Sequence, residues 1–298
     1  MKKLLILFSA LFVLAGAGYG VWKAFLTSRH PQINISTNPW AGFTPFMYAQ
    51  EKGWLEKTPF KFIWLVDLSD NARLFDKGFA QGFTATQYEL LHFKNKNDLT
   101  TVFLIDQSYG ADAILSNRTL QQLSHMDEKI SVYLEMGSLN QDMFDAFARE
   151  NGLDKNKFML IDSSQKSLEV MAKSKKPFIL ITYEPYVSQM KNKGLHVVAS
   201  TRTLKTFHAI DALFVKKSLM EEHTENFQEL KAIFERARTQ LRKDPKEFYT
   251  TIEGYLEGES YEDFLNSTYQ IQWIEGNTPV HITEEFKNQN IPMDSLLR

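Results

Sequence analysis

The sequence predicts an α/β fold of two lobes with mainly parallel central sheets flanked by helices. Three observations carry that expectation. Short apolar runs alternate with helical patterns from Gln32 onward, which argues for parallel pairing through crossovers. About a hundred residues in the middle of the chain repeat the rhythm with apolar runs of their own, the size of an independent lobe. No composition break or Pro/Gly/Ser linker separates the parts, so the chain is expected to cross between lobes more than once. A cleft between two lobes is a frequent place for a small-molecule site.

Taken in order, Ile33 and Ile35 alternate as a short strand, and Asn38-Pro39-Trp40-Ala41-Gly42-Phe43 follows as a loop rich in turn formers. Thr44-Pro45 opens a helix that stops at Gly53. Strands are expected at 60–66, around Phe83, at 101–105 and at 111–115, with helices from Ser69 to about Gly78 and after Tyr88. The middle continues with strands at 130–134, 158–161, 178–181 and 197–199, and with helices at 138–151, 164–173 and 184–193. After a strand at 210–215 helices dominate: Phe227, Leu230, Phe234, Ala237 and Leu241 fall at helical spacing as core, and 261–273 is expected to continue the same way. The tail from Gly276 is polar and is expected to wrap a surface.

A formal charge of −2 points to neither a nucleic-acid binder nor a strongly acidic surface, and the absence of cysteine removes disulfides, thiolate metal sites and cysteine nucleophiles together. The amino terminus is the strongest local signal. Lys2 and Lys3 precede the apolar run Leu4 to Leu14, and Ala15-Gly16-Ala17 offers a small-x-small cleavage pattern, which describes a secretory signal peptide. The uncharged run continues to Trp22, about 19 residues and enough to span a bilayer, so residues 1–30 read as a cleaved signal or as a retained single anchor. Either places the remainder outside the cytoplasm, as a periplasmic domain.

Thr182-Tyr183-Glu184-Pro185-Tyr186 sets an acid between two aromatics at the end of an apolar run and ahead of a helical pattern. The carboxyl ends of strands are where open α/β sheets collect ligands. Equally, Glu184 suits a first helical turn with Pro185 as a helix starter. The chain holds no G-x-S-x-G elbow, H-E-x-x-H or P-loop, and its seven histidines lack ligand spacing. No metal, cofactor or catalytic residue is expected.

Asn38 to Leu55, with Trp40, Gly42, Phe43, Pro45, Ala49, Glu51 and Gly53, resembles the opening of the solute-binding proteins of ABC importers of the nitrate, taurine, sulfonate and thiamine-precursor type. Gly110 to Ile114, Glu135-Met136-Gly137-Ser138, Tyr183-Glu184-Pro185-Tyr186 and Ile210 to Leu213 resemble later motifs of that family in the same order; Phe79 stands where the family usually has an acid. The resemblance implies a type II periplasmic-binding-protein fold. One lobe would comprise residues 31–111 plus 206–298 and the other residues 112–205, with hinges near Gly110 to Asp112 and Ser200 to Thr206. The implied ligand-facing set is Trp40, Phe43, Thr84, Thr86, Gln87, Tyr109, Glu135, Ser138, Tyr183, Glu184 and Asp211.

Trp40 with Phe43 nearby suits stacking on a planar or cationic ligand, or simple packing. Thr84, Thr86 and Ser138 suit hydroxyl donors or an anion at a helix start, or ordinary caps. Glu135, Glu184 and Asp211 favour a ligand with an amine, an amidine-like edge or an aminopyrimidine over nitrate or a sulfonate, because a buried carboxylate needs a donor. The expected role is capture of such a nitrogen-containing small-molecule solute for an ABC-importer permease, by a monomer that closes on it. The alternatives are a membrane-tethered sensor for a signalling partner and a cofactorless acid–base enzyme using Glu135 and Glu184. A pyrimidine-forming synthase shares the resembled fold, but its cysteine-bearing motif cannot exist here.

Overall fold

A computed structural model describes residues 32–93, 96–256 and 258–297 of the chain. The signal or anchor expected at residues 1–30 lies outside the described residues. The chain lays down β1 (Ile33–Thr37), α1 (Thr44–Glu51), β2 (Phe60–Trp64), α2 (Leu68–Asp76), β3 (Gly82–Thr86), α3 (Gln87–Leu91) and β4 (Leu99–Ser108). It then crosses into β5 (Asp112–Ser116), α4 (Leu120–Ser124), β6 (Ile130–Leu134), α5 (Leu139–Glu150), β7 (Phe158–Asp162), α6 (Leu168–Met171), β8 (Phe178–Tyr183), α7 (Tyr186–Asn192) and β9 (His196–Ser200). It returns as β10 (Ile210–Lys216), α8 (Lys217–Glu222), α9 (Thr224–Lys243), α10 (Pro245–Ile252), α11 (Tyr261–Tyr269), β11 (Ile271–Trp273) and α12 (Val280–Asn288).

Two sheets result, ordered β11-β4-β10-β3-β1-β2 and β7-β6-β8-β5-β9. Crossover units pair in parallel, β1 with β2 and β3 and β6 with β7 and β8. Strands that arrive from the other sheet or close an edge pair antiparallel: β10 between β3 and β4, β11 on β4, and β5 between β8 and β9. The sheets are therefore mixed, and the antiparallel pairs lie where the chain crosses. The central strands β3, β5 and β8 are buried along their whole length, as sheets covered on both faces require. Edge strand β7 is only partly covered.

Local chemistry explains most element ends. Pro45 stands in the first turn of α1, and Gly53 follows that helix at φ 69°, a left-handed position that glycine adopts without strain. Ser138 caps α5 by accepting from the Asn140 amide. Helix α9 buries Phe227, Leu230, Phe234, Ala237 and Leu241 along one stripe. Among the described residues no helix is long and apolar enough to cross a membrane.

Three expectations change in detail. The helix expected over 261–273 ends at Tyr269, because Ile271-Gln272-Trp273 alternates apolar and polar residues and completes the open edge of β4. The 164–173 helix shrinks to a 3-10 turn at Gln165–Ser167 and the short α6. The polar tail carries α12, whose Ile282 and Phe286 are buried, and the tail is tied to β4 by Thr101 N donating to Pro292 O and Leu297 N donating to Val102 O.

Phe234 lies in the core of the first sheet, with ring centroids 4.8 Å from Phe46, 5.7 Å from Phe103 and 6.1 Å from Trp273. F234A should lower unfolding free energy by about 3–5 kcal/mol in urea titrations. Phe79 is 64% exposed, and Phe79→Ser should stay within about 0.5 kcal/mol.

Candidate functional site

The carboxyl ends of the parallel strands in both sheets face one gap, the place where open α/β sheets gather ligands. Its wall is made by Asn38 and Trp40 after β1, Leu68 at the start of α2, Thr86 at the end of β3, Asp112 at the start of β5, Leu139 at the start of α5, Tyr183 at the end of β8 and Asp211 in β10. In this conformation the space they enclose is about 10 Å³, room for roughly one water.

Carboxylates dominate the gap. Asp106 and Asp211 stand opposite each other on β4 and β10, and their carboxyl groups hydrogen-bond. Two buried carboxyl groups in hydrogen-bond contact hold a proton between them. Burial raises both pKa values; the neighbouring Asp112 raises both further, and Asp106 does the same for Asp211. The Trp40 indole donates to Asp106 Oδ2 at 3.3 Å, whereas Asp106 Oδ1, fully buried, meets no donor other than the proton shared with Asp211. The chain can come this close only because residue 42 is glycine: a Cβ there would stand 1.8 Å from Asp106 Oδ2 and 2.5 Å from Trp40 Nε1. Burial pushes Asp112, reached from the second sheet, up to about 7, with Glu89 and Glu184 adding repulsion and a Ser108 hydrogen bond opposing.

A second group of acids is held by backbone amides of the opposite lobe. Asp67 occupies the N-cap position of α2 but makes no cap there. Its Oδ1 instead accepts from Gln165 N at 2.9 Å, the first amide of the 3-10 turn after β7. The start of α2 is served from across the gap by Glu135, whose Oε2 accepts from Ser69 N at 3.1 Å. Glu89 in α3 likewise reaches over, and its Oε1 accepts from Leu139 N, the first amide of α5, at 2.6 Å. The lobes thus exchange helix caps. Glu135 also accepts from Gln165 Nε2 at 2.5 Å and from the Tyr183 hydroxyl at 3.1 Å; burial and the Asp67 charge still push it up to about 8. Among the described residues no ion pair joins Glu89, Asp106, Asp112, Glu135 or Asp211 to a lysine, arginine or histidine. Nor is any group of three or more His, Asp or Glu among them arranged to hold a metal ion.

The residues singled out in the sequence divide between the gap and its supports. Trp40, Thr86, Tyr183 and Asp211 line it, and Glu135 stands behind Tyr183. Trp40 and Tyr183 meet edge to face at 6.0 Å, and the Asn38 amide donates to the Tyr183 hydroxyl at 3.3 Å. Thr86 also caps α3. Phe43 is core. Thr84 is satisfied by Thr37 at 2.7 Å within the sheet, and Ser138 by its cap on α5. Gln87 clamps the approach to β10, donating to His208 O at 2.5 Å and accepting from Ile210 N at 2.9 Å. Tyr109 lies at the crossing between sheets, 43% exposed, beneath the Arg202 guanidinium at 4.9 Å. Glu184 is buried, and its oxygens accept from Ser188 N and Ser188 Oγ, both at 2.9 Å, in α7, and from Gln270 Nε2 at 3.2 Å. That is the helix-start role considered for it, and burial raises its pKa despite these bonds.

Asn38, Leu68, Glu89, Asp106, Asp112 and Leu139 were not singled out from sequence. Asp106 ends an otherwise apolar strand and Asp112 interrupts Ala111-Asp112-Ala113-Ile114, so a lone acid in an apolar run was the available signal. Glu89 fits a capping box with Thr86, which hides its second role across the gap.

No family model matches the sequence, and no curated protein does. Solved structures do match in shape. The ligand-binding component of an ABC-type import system from Staphylococcus aureus, with zinc bound, superposes with a TM-score of 0.70 at 12% identity, over 90% of this chain and 97% of that one. The alkanesulfonate-binding protein SsuA of Xanthomonas axonopodis pv. citri, bound to MOPS, gives 0.69 at 13% identity over 91% and 99%. The periplasmic aliphatic sulphonate binding protein SsuA of Escherichia coli gives 0.67 at 14% identity over 89% and 96%. With two mixed sheets, flanking helices and one gap at their strand ends, the chain has the periplasmic-binding-protein fold.

Proposed function

We propose that the protein is an extracytoplasmic solute-binding component of an ABC importer. It captures a small cationic or hydrogen-bond-donating nitrogen compound, an amine or aminopyrimidine-like solute, between a lobe of residues 31–111 plus 206–298 and a lobe of residues 112–205. A membrane permease would receive the loaded protein, and no catalytic step is assigned.

The observation that carries the choice of ligand is the acid set Asp106, Asp112 and Asp211. Asp112 and Asp211 line the gap and Asp106 stands behind Asp211, with one fully buried Asp106 oxygen that meets no N–H donor and no ion pair to a basic side chain among the described residues. A solute that brings N–H donors or positive charge relieves the repulsion and meets the orphan oxygen, whereas a sulfonate would add charge of the same sign. Trp40 and Tyr183 supply aromatic faces beside the acids, where a cation gains about 0.5–2 kcal/mol. With room for roughly one water in the closed gap, the solute enters when the lobes part and is enclosed when they close.

The test is a thermal-stability screen of the purified domain against amines, aminopyrimidines, sulfonates and nitrate, since a ligand of the folded form raises stability by mass action. Stabilisation by nitrogen cations alone is expected; no effect from any amine or aminopyrimidine would overturn the reading. Asp211→Asn should weaken binding by about 1–3 kcal/mol, read by calorimetry. Glu184→Gln should lower the melting temperature, because its oxygens accept from Ser188 in α7 and from Gln270 after α11.

Proton linkage gives a further check. Asp112 at about 7 and Glu135 at about 8 hold protons that the unfolded chain has already released. Their contribution to stability is therefore full below the unfolded value of roughly 4 and is lost as pH rises through 7 and 8. Without solute, the melting temperature should fall between pH 5 and 8. Affinity for a cation should rise over the same window, by up to roughly tenfold per pH unit where one proton leaves per solute bound.

A further inference from the structure

We propose that Glu89 is an internal anion that closes the gap to anionic solutes, and so decides the sign of charge the protein accepts. The inference rests on the reading of the gap as the solute site. Three donors from two lobes converge on this one carboxylate: Leu139 N at 2.6 Å on Oε1, and Thr86 Oγ1 at 2.6 Å and Thr86 N at 2.9 Å on Oε2. Leu139 N is the first amide of the 12-residue α5, where unpaired N–H groups and the helix dipole favour negative charge. The hydroxyl of Ser138 does not compete for it, since it accepts from Asn140 N and donates to Glu135 O.

Both donor residues, Thr86 and Leu139, line the gap. The place that would hold an oxyanion therefore borders the site and is already filled by the chain itself. Glu89 is only 1% exposed, and no ion pair among the described residues reaches it; burial raises its pKa, and the bonds from Thr86 and Leu139 are what oppose that and favour the charge. A separate, more open space of about 270 Å³, bordered by Ser69, Arg73, Glu89, His92, Met136 and Gly137, lies beside it. Through that space a small anion could reach the donors if the carboxylate were gone. An anionic solute in the native protein would meet a seated carboxylate in place of free amides, and three aspartates beyond it.

The experiment follows the melting temperature of the full chain with formate, acetate and methanesulfonate, against chloride at equal ionic strength. Wild type should be indifferent to all of them. E89A leaves buried donors unmet; it should melt several degrees lower, and formate or acetate should restore it saturably where chloride does not. E89Q fills the same space without the charge and should melt lower with no such restoration. Stabilisation of wild type by methanesulfonate would overturn the proposal. So would an E89A protein that is folded and indifferent to every anion, one that stays unfolded in their presence, or an E89Q protein restored as fully as E89A. Amine binding by wild type is read separately, so failure of the cation reading and failure of the anion block are distinguishable.

Discussion

A carboxyl group in a gap that has shed its water is costly unless a donor meets it, and in this protein several donors come from the opposite lobe. Asp67, Glu135 and Glu89 each give up the nearby partner a local reading would assign, wholly or in part, and accept an amide at a helix start across the gap. A helix cap is ordinarily a local device worth about 1 kcal/mol. Here it becomes a contact that exists only with the lobes together. Were they to part, water would serve the same amides and carboxylates, so each exchanged cap has a modest net effect.

The acids of the gap form two classes by their donors. Glu89, Glu135 and Asp67 have backbone amides, and their bonds define the closed arrangement. Asp106, Asp211 and Asp112 have a tryptophan indole, a shared proton and a serine hydroxyl between them, which leaves acceptor capacity unused. The first class joins the lobes, and the second keeps the acceptor capacity that the proposed solute would use. Gly42 is what lets them sit this tightly, since any side chain at that position would occupy the space of the Asp106 carboxylate.

Much of the fold was legible because its signals are periodic and local. Apolar alternation located the strands, Pro45 and Gly53 bracketed α1, and the heptad-like spacing from Phe227 to Leu241 marked α9. Less was legible at the site. Trp40, Tyr183 and Asp211 were accessible through their turns, but a turn motif does not reveal where a side chain ends. Glu184 had both a ligand-facing and a capping reading, and its bonds to Ser188 fit the second, with Gln270 a further partner that no local pattern announces. Glu89 showed the opposite difficulty: a capping box accounted for it completely, and nothing in a local pattern announces that its other oxygen reaches an amide 50 positions away. Asp106 depended on a partner 105 positions on, brought alongside only by antiparallel pairing of β10 with β4.

That same insertion of β10 has a bearing on biosynthesis. The second sheet is drawn from one uninterrupted stretch, β5 to β9, whereas the first has its central gap between β3 and β4 filled by a strand made after the entire second sheet. During synthesis from the amino terminus, the inserted half can be completed first, while β1 to β4 wait as an unfinished sheet whose two open inner edges are prone to wrong pairing. Any machinery that keeps the nascent chain apart has its greatest use in the interval between the emergence of β4 and that of β10.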